Sequence, residues 1–458
     1  MPIVSIPFAA FAVLALAVYH LLPHQRARQH WLLLASYTFY ALESWRFLPV
    51  LLLLTGVTFA VAGQLLRRTH HRAVWLWIGL GANVAALGAF RYAYPSNPFT
   101  EPFLVVGLSF YTLQGMSYLF DAHAGTLKTP HRLADVALYL AYFPKLVAGP
   151  IERAREFLPQ LAHAHVVDDA TAGRAGTLIA VGVTRKLVIA DPLAALLPAE
   201  AFSAPSQLGA AALAAAIAGY AFVLYNDFAG YTNIARGVSS LFGIELSANF
   251  AQPFFARSFT EFWTRWHITL SRWLRDYIYM PLSRALLRRN PRRSNVPGLL
   301  LPPMVTMLAG GLWHGNSAGM LLWGGMHGAY LICERILTLR PRASRAGVQP
   351  MSRQVLSALA VFALGCWALV AFRTTGAVAL EYWGAMLRGA AGDLPDPQIL
   401  AFMAASLWLD WREHRYGAET MFDHWPRFDR AALLAAAMLL WFVMTRIEPT
   451  TPFIYRGF

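Results

Sequence analysis

Three histidines have side chains that are the first candidates for chemistry in this sequence of 458 residues, and two of them, His314 and His327, stand in apolar surroundings. His314 lies in the string Gly-Leu-Trp-His-Gly-Asn at 311–316, between two apolar segments. An ionisable group in a membrane segment costs about 2.5–3.5 kcal/mol on insertion scales. Imidazole titrates near neutral pH and can take a proton from an alcohol that attacks an acyl carbon. His314 is therefore a candidate general base, and the alternative is a buried histidine that a backbone carbonyl satisfies.

The other two histidines have plausible structural explanations as well. His267 lies 47 residues before His314 in an aromatic, arginine-rich segment, where an interfacial histidine is the alternative. His327 follows His314 by 13 residues, and a straight helix with about 3.6 residues per turn would not stack the two. Packing of helices through small residues is the alternative for His327.

Other kinds of catalytic centre are not indicated. No zinc-protease motif is present and no carboxylate lies one helical turn from either His314 or His327, so the sequence predicts no metal site. The nucleophile elbow of serine hydrolases is also missing. Direct acyl transfer is therefore favoured over a covalent acyl-serine.

Composition limits the class of protein that could hold these histidines. The chain is 57% hydrophobic and 14% charged, against roughly 25% charged residues in an average soluble domain. This excludes a single soluble globule. The net charge is +14, but the basic residues form short clusters between apolar stretches, as in cytoplasmic loops. We therefore expect a membrane-lipid environment and no nucleic-acid partner.

The apolar runs predict an all-α, polytopic membrane protein with about eleven to thirteen transmembrane and re-entrant helices. Several runs are shorter than the roughly 20 residues that cross a bilayer squarely, and re-entrant pieces usually line a cavity. The first run, Met1–Leu22, lacks a cleavage pattern, so it is predicted to be a retained span with the N-terminus outside. The runs lie at 3–22, 31–42, 46–66, 73–92, 103–120, 134–150, 175–198, 208–226, 299–313, 317–338, 355–372, 397–409 and 431–446.

The segment 227–293 differs from the rest because it mixes arginines with aromatic residues. Within it, apolar residues recur at helical spacing over 259–282, which predicts an interfacial helix at the level of the lipid headgroups. Pro302-Pro303 and Gly310-Gly311 bracket a short apolar piece that can bend.

Blocks of this sequence resemble the bacterial polysaccharide branch of the membrane-bound O-acyltransferase family. They extend from about 104 to 335, and the ending Pro452–Tyr455 is similar too. Thr232-Asn233 stands where Ser-Asp is common in the family, which leaves the acceptor open. The matching blocks are Gly107–Tyr111, Tyr118–Asp121 with Gly125, Tyr142–Ile151, Asp227–Thr232, Asn249-Phe250, Pro253-Phe254, Glu261–Leu282, Gly311–Gly315, Trp323-Gly324 and His327-Gly328.

The resemblance implies a single integral-membrane domain over 1–458, shaped as a bowl of helices with a central tunnel. Its parts would be peripheral helices at 1–100, a catalytic core at 104–335 and C-terminal helices at 355–458. The resemblance makes His314 the catalytic residue and His267 its upstream polar partner. The predicted substrate-binding residues are Trp313, Asn316, Arg275, Asp276, Trp266 and His327. For Arg275 and Asp276 the alternative is a structural ion pair. Lys145 and Asp227 also lie in family blocks, and their role could be packing or pairing.

The resemblance also implies a reaction. An acyl thioester, expected to be acetyl-coenzyme A, would enter from the cytoplasm, with no permanently bound cofactor. The acceptor would be a hydroxyl of an extracytoplasmic polysaccharide, or a serine of a periplasmic partner acetyltransferase of the SGNH type, at the bacterial inner membrane. Arg265, Arg272 or Arg275 would attract the donor phosphates.

Two other functions remain open at this point. Family members also acetylate peptidoglycan or pass D-alanine to teichoic acids. A polytopic transporter of a glycan or lipid-linked intermediate would explain the spans and the buried histidine, but related halves with matching broken helices are not visible. A membrane scaffold gives no reason for two histidine blocks.

Overall fold

A computed structural model describes residues 1–67, 70–92, 105–162, 167–290, 296–339, 350–389, 392, 394–416 and six residues between 429 and 439. The regular structure in these ranges is helical. Two compact units are formed. Unit 1 contains Met1–Val188, Asp227–Ala248 and the six described residues between 429 and 439, and unit 2 contains Ile189–Asn226 and Asn249–Ala418. The single domain over 1–458 stays a prediction.

The helices follow the apolar runs predicted from the sequence as far as residue 409. The run at 431–446 lies mostly outside the described residues, as do the basic cluster Arg340–Arg345 and the ending Pro452–Tyr455. The helices are α1 Ile6–Leu21, α2 Gln25–Ser44, α3 Leu48–Arg67, α4 Arg72–Tyr92, α5 Leu108–Ala124, α6 Leu133–Ala141, α7 Phe143–Leu146, α8 Ala154–Ala162, α9 Asp169–Val183, α10 Asp191–Leu196, α11 Ala210–Ser240, α12 Phe259–Arg265, α13 Ile268–Leu274, α14 Met280–Arg289, α15 Val296–His314, α16 Ala318–Leu339, α17 Met351–Arg373, α18 Gly376–Arg388 and α19 Pro397–Tyr416.

Five helical segments of the described chain are long and apolar enough to cross a membrane. Helix α1 is also apolar but shorter. Large apolar side chains on these segments are exposed, as expected for residues that face lipid; Leu53, Trp77 and Leu356 are examples. The prediction of an all-α, multi-pass membrane protein is confirmed. The five segments are Gln25–Arg67, Arg72–Phe90, Ala210–Ser240, Val296–His314 and Met351–Arg373.

In unit 1, α9 and the second half of α11 approach each other very closely. A Cβ atom on Gly182 or on Gly230 would lie 2.7 Å from the carbonyl oxygen of the other glycine. Beside this crossing, Lys186 Nζ lies 2.7 Å from Asp227 Oδ1, and both side chains are buried. The family-block residue Asp227 therefore forms a buried ion pair.

Lys145, the second charged family-block residue of unit 1, is fully buried. Its ammonium group donates hydrogen bonds to Gln114 Oε1 and to the Tyr139 carbonyl oxygen. It also lies 5.0 Å from the ring centres of Tyr139 and Phe157, within the range of a cation–π interaction. Hydrogen bonds and aromatic contacts within the packed unit hold this side chain.

In unit 2, α15 and α16 form an antiparallel hairpin whose contact surface is built on glycine. A Cβ atom on Gly311 would overlap the carbonyl oxygen of Met320, and one on Gly324 would lie 2.5 Å from the carbonyl oxygen of Met307. Helix α15 continues through Pro302 and Pro303 as one element. Small residues let the two backbones approach closely, as in many membrane helix pairs.

The prediction of one helix over 259–282 is wrong. Helix α12 ends at Arg265, α13 starts at Ile268, and a π-helical turn at Arg275–Tyr279 leads into α14. The break occurs at His267, whose backbone is left-handed, with φ 40° and ψ 55°.

Asn249 explains why the chain breaks there. Its carbonyl oxygen accepts from Ile268 N at 2.9 Å, and its Oδ1 accepts from Thr269 Oγ1 at 2.6 Å and Thr269 N at 3.3 Å. The first N–H groups of a helix need partners from outside the helix. Asn249 supplies them, so a new helix begins directly after His267.

Candidate active site

Five aromatic rings of unit 2 follow one another in contact. The ring centres of His267 and Trp313 are 5.9 Å apart, and those of Trp313 and His314 are 4.8 Å apart. The rings of His314 and Trp323 are 5.2 Å apart, and those of Trp323 and His327 are 4.9 Å apart. The three histidines singled out in the sequence thus belong to one continuous series of ring contacts, which we name the histidine row.

The hairpin of α15 and α16 positions four members of this row. Trp313 and His314 are the last residues of α15, and the chain reverses through 315–317 into α16. Trp323 and His327 lie four residues apart and therefore on the same face of α16. His314 and His327 are 13 residues apart, and one straight helix could not stack them. The chain reversal brings them close together.

His267 reaches the row from the break between α12 and α13. Its side chain is 1% exposed. Burial lowers the pKa of this imidazole to about 3, because the interior disfavours the charged form. The ring is therefore neutral at ordinary pH.

The other end of the row is equally enclosed. His314 is 5% exposed and His327 is 2% exposed. Phe372 of α17 covers His314 and Trp323, with ring centres 5.1 and 5.4 Å away. The Nδ1 atom of His327 is buried and has no hydrogen-bond partner among the described residues. A buried polar atom of this kind calls for a water or ligand partner.

A cavity of about 650 Å³ lies beside the row in unit 2. This volume is in the range of small-molecule sites, which run from roughly 300 to 1,000 Å³. Its wall combines arginine and hydroxyl side chains with apolar ones, among them Thr260, Trp263, Ser271, Arg272, Leu274, Arg275, Tyr279, Met307, Leu331, Glu334 and Arg335.

Two hydrogen bonds fix the polar part of this wall. Thr260 N donates to Glu334 Oε2 at 3.1 Å, and Arg335 Nη1 donates to Tyr279 Oη at 2.9 Å. Both link α16 to the segment that contains His267. The cavity wall and the histidine row therefore share the same structural elements.

Four of the six predicted substrate-binding residues are not members of the row: Asn316, Trp266, Arg275 and Asp276. Asn316 is exposed in the turn between α15 and α16. Trp266 is buried in an adjoining aromatic cluster, stacked on Phe262 at 5.6 Å and edge-on to Phe250 at 5.2 Å. Phe262 in turn lies 6.3 Å from His327.

The predicted basic residues divide into two groups. Arg275 and Arg272 line the cavity, and Arg275 also pairs with Asp276 at 2.9 Å. Arg265 instead pairs with Glu261 at 2.8 Å and donates to the Ala251 carbonyl oxygen. The ion pair considered for Arg275 and Asp276 is thus formed, at the cavity.

Sequence reasoning gave no role to Trp323, Trp263, Phe372 or Arg335. A signal existed for Trp323, because it precedes His327 by four residues and so shares its helix face. Phe372 and Arg335 depend on tertiary packing and leave no comparable trace in the sequence.

The left-handed backbone at His267 leads to a test of the fold. Asparagine tolerates this conformation, whereas a β-branched residue is strained there, by roughly 1–2 kcal/mol. We expect His267→Val to unfold at a lower temperature than His267→Asn, a substitution of similar size. Thermal unfolding of the two purified variants in detergent, followed by tryptophan fluorescence, measures the difference. Equal stability of the two would mean that the strain is absent.

Taken together, the fold and the site define a multi-pass helical membrane protein with a buried histidine row beside a cavity of ligand size. A family comparison identifies its class more closely. The model of the membrane-bound O-acyltransferase family matches residues 25–373, and the chain belongs to that family.

Relatives with curated names are similar over most of the chain. A probable alginate O-acetylase AlgI of Pseudomonas aeruginosa is 37% identical over 352 residues, covering 71% of this chain and 64% of the relative. A peptidoglycan O-acetyltransferase of Helicobacter pylori is 31% identical, covering 67% of this chain and 64% of the relative. A teichoic acid D-alanyltransferase of Streptococcus thermophilus is 29% identical, covering 54% of this chain and 61% of the relative. The chain therefore spans a little under two thirds of the length of each.

Proposed function

We propose that this protein is an O-acyltransferase that moves an acetyl group from a cytoplasmic thioester to a hydroxyl group of an extracytoplasmic polysaccharide. The observation that carries the proposal is the histidine row, in which His314 and His267 from two separate family blocks both contact Trp313. The similarity to alginate O-acetylases supports the acetyl group and the polysaccharide acceptor.

His314 is the general base in this proposal. Its imidazole takes the proton of the acceptor hydroxyl as the oxygen attacks the thioester carbonyl carbon. The new C–O bond forms, the C–S bond breaks, and the thiolate leaves with the proton from the imidazolium. Ester and free thiol are the products. General base catalysis of this kind contributes about 10²–10⁴-fold in rate.

His267 is a positioning residue in this scheme. Because its ring is neutral and packs edge-on against Trp313, it can orient His314 through that indole or hold the thioester carbonyl. The αL backbone and the Asn249 anchor fix its place. Trp313 and His327 complete the surroundings of the reacting groups.

The cavity is the proposed donor site. Its guanidinium groups, from Arg272, Arg275 and Arg335, match the phosphates of coenzyme A, since arginine binds phosphate through paired N–H groups. Glu334 and the Asp276 partner of Arg275 moderate this positive charge. The donor binds as a substrate, and no resident cofactor is required.

The membrane topology of the proposal follows the basic clusters. The protein is placed in the bacterial inner membrane with its N-terminus outside, so that donor and acceptor meet from opposite sides. The acceptor is a polysaccharide hydroxyl or the serine of a periplasmic SGNH-type partner enzyme that relays the acetyl group. The relatives named for peptidoglycan and teichoic acid make those polymers the alternative acceptors.

Ester analysis of the cell surface tests the function and names the acceptor. Cells with and without this protein are compared for alkali-labile acyl groups on exopolysaccharide, peptidoglycan and teichoic acid. We expect the ester of one polymer, the exopolysaccharide, to disappear with the protein, and the released acid to be acetate. Unchanged ester on every polymer would contradict the proposal. Loss of D-alanine esters from teichoic acid would instead assign the protein to the D-alanyltransferase branch of the family.

A further inference from the structure

Trp263 of α12 stands between the cavity and the histidine row. Its side chain lines the cavity. Its indole also lies edge-on to His327, with ring centres 5.2 Å apart, and edge-on to Trp323, 5.9 Å apart. Trp323 is in turn the neighbour of His314. Trp263 therefore connects the cavity wall to the ring that neighbours His314.

The indole N–H of Trp263 is unusual as well. Its Nε1 atom is buried and has no hydrogen-bond partner among the described residues. A buried donor left in this way destabilises the fold. The carbonyl oxygen of an acyl group that reaches this edge of the ring would satisfy it. This second observation points to a small carbonyl-bearing ligand at the same place.

We propose that Trp263 is the residue that restricts the acyl donor to short chains of about acetyl size. The inference rests on the proposed acyl-transfer function and adds the substrate class. The Trp263 ring packs against Trp323 and His327 at the cavity wall, where it blocks the path of a longer acyl chain. Each further methylene has to displace the ring from its two aromatic neighbours.

The inference is tested with the full-length protein in membrane vesicles from the polymer-producing strain. Vesicles receive radiolabelled acetyl-, butyryl- or octanoyl-coenzyme A, and alkali-labile label on the polymer is counted. For the unmodified protein we expect acetyl transfer to exceed butyryl transfer at least roughly tenfold, as one or two methylenes can discriminate in a closed pocket. We expect Trp263→Ala to raise the butyryl-to-acetyl ratio by roughly tenfold.

Two further variants separate size from other effects. Trp263→Phe keeps most of the ring but removes the N–H group, so it should keep the acetyl preference while transferring more slowly. Trp367→Ala is the matched control: Trp367 is a half-buried tryptophan of unit 2 that stacks on Trp383, and its loss should leave the ratio unchanged.

The outcomes distinguish this inference from the function on which it rests. If the unmodified protein transfers octanoyl as fast as acetyl groups, or if Trp263→Ala transfers acetyl with an unchanged ratio, the role of Trp263 is refuted and acyl transfer stands. If Trp263→Ala does not accumulate, Trp263→Leu takes its place in the same assay. If no donor labels the polymer in a His314-dependent way, the proposed function fails and this inference fails with it.

Discussion

Cells that carry His314→Ala are expected to make polymer without O-acyl esters. Loss of a general base alone slows transfer by about 10²–10⁴-fold, which brings ester below detection in a surface polymer. The variant should still insert, because His314 lies at the end of α15 and makes no part of the glycine contact with α16. The measurement is acetate released by mild alkali from purified polymer, alongside an immunoblot of the membrane fraction.

Two variants serve as controls for this result. His314→Gln retains a polar side chain of similar length without a titratable nitrogen, and it should be as inactive as alanine. His30→Ala removes an exposed histidine of α2 and should leave the ester content unchanged. Normal acetylation in a well-expressed His314→Ala strain would remove His314 from the mechanism.

Gly311→Ala is the second change with a large expected effect. The added methyl group would overlap the Met320 carbonyl oxygen, so the two helix backbones must move apart. Overpacking of this kind costs typically about 1–3 kcal/mol. The same movement shifts Trp313 and His314 relative to Trp323, and a displacement of about 1 Å can lower a rate by roughly 10²-fold. We therefore expect both a lower unfolding temperature and a strong loss of polymer ester.

Gly325→Ala is the matched control for this prediction. Gly325 lies on the same hairpin, but its added Cβ atom would meet only Leu308 Cδ2, at 4.0 Å. It should retain stability and ester formation. If Gly311→Ala behaved like Gly325→Ala, the close backbone approach would not be what positions the end of α15.

The helical class of the fold and the three histidines of the row could be predicted from the sequence. Apolar runs of spanning length predict helices directly, because a bilayer requires each backbone group to be satisfied within its own segment. His314 and His327 are visible because ionisable residues are rare in apolar segments. Both kinds of signal are local in the sequence.

The features that escaped prediction depend on contacts between distant residues. The helix predicted over 259–282 breaks at His267 because Asn249, 18 residues earlier, bonds the first groups of α13. Arg265 belongs to the same basic segment as Arg272, but it forms an ion pair with Glu261, one helical turn away. Trp263 gains its place from α16, which carries both of its aromatic neighbours.

The residues of the hairpin are close in sequence, and this affects when the site can form during biosynthesis. Four of the five rings, from Trp313 to His327, lie within 15 consecutive residues, and His267 is translated before them. Contacts between rings that are so close in sequence cost little loop-closure entropy. The nascent hairpin can therefore assemble the row as soon as α16 has left the ribosome, and Phe372 closes over it only when α17 follows.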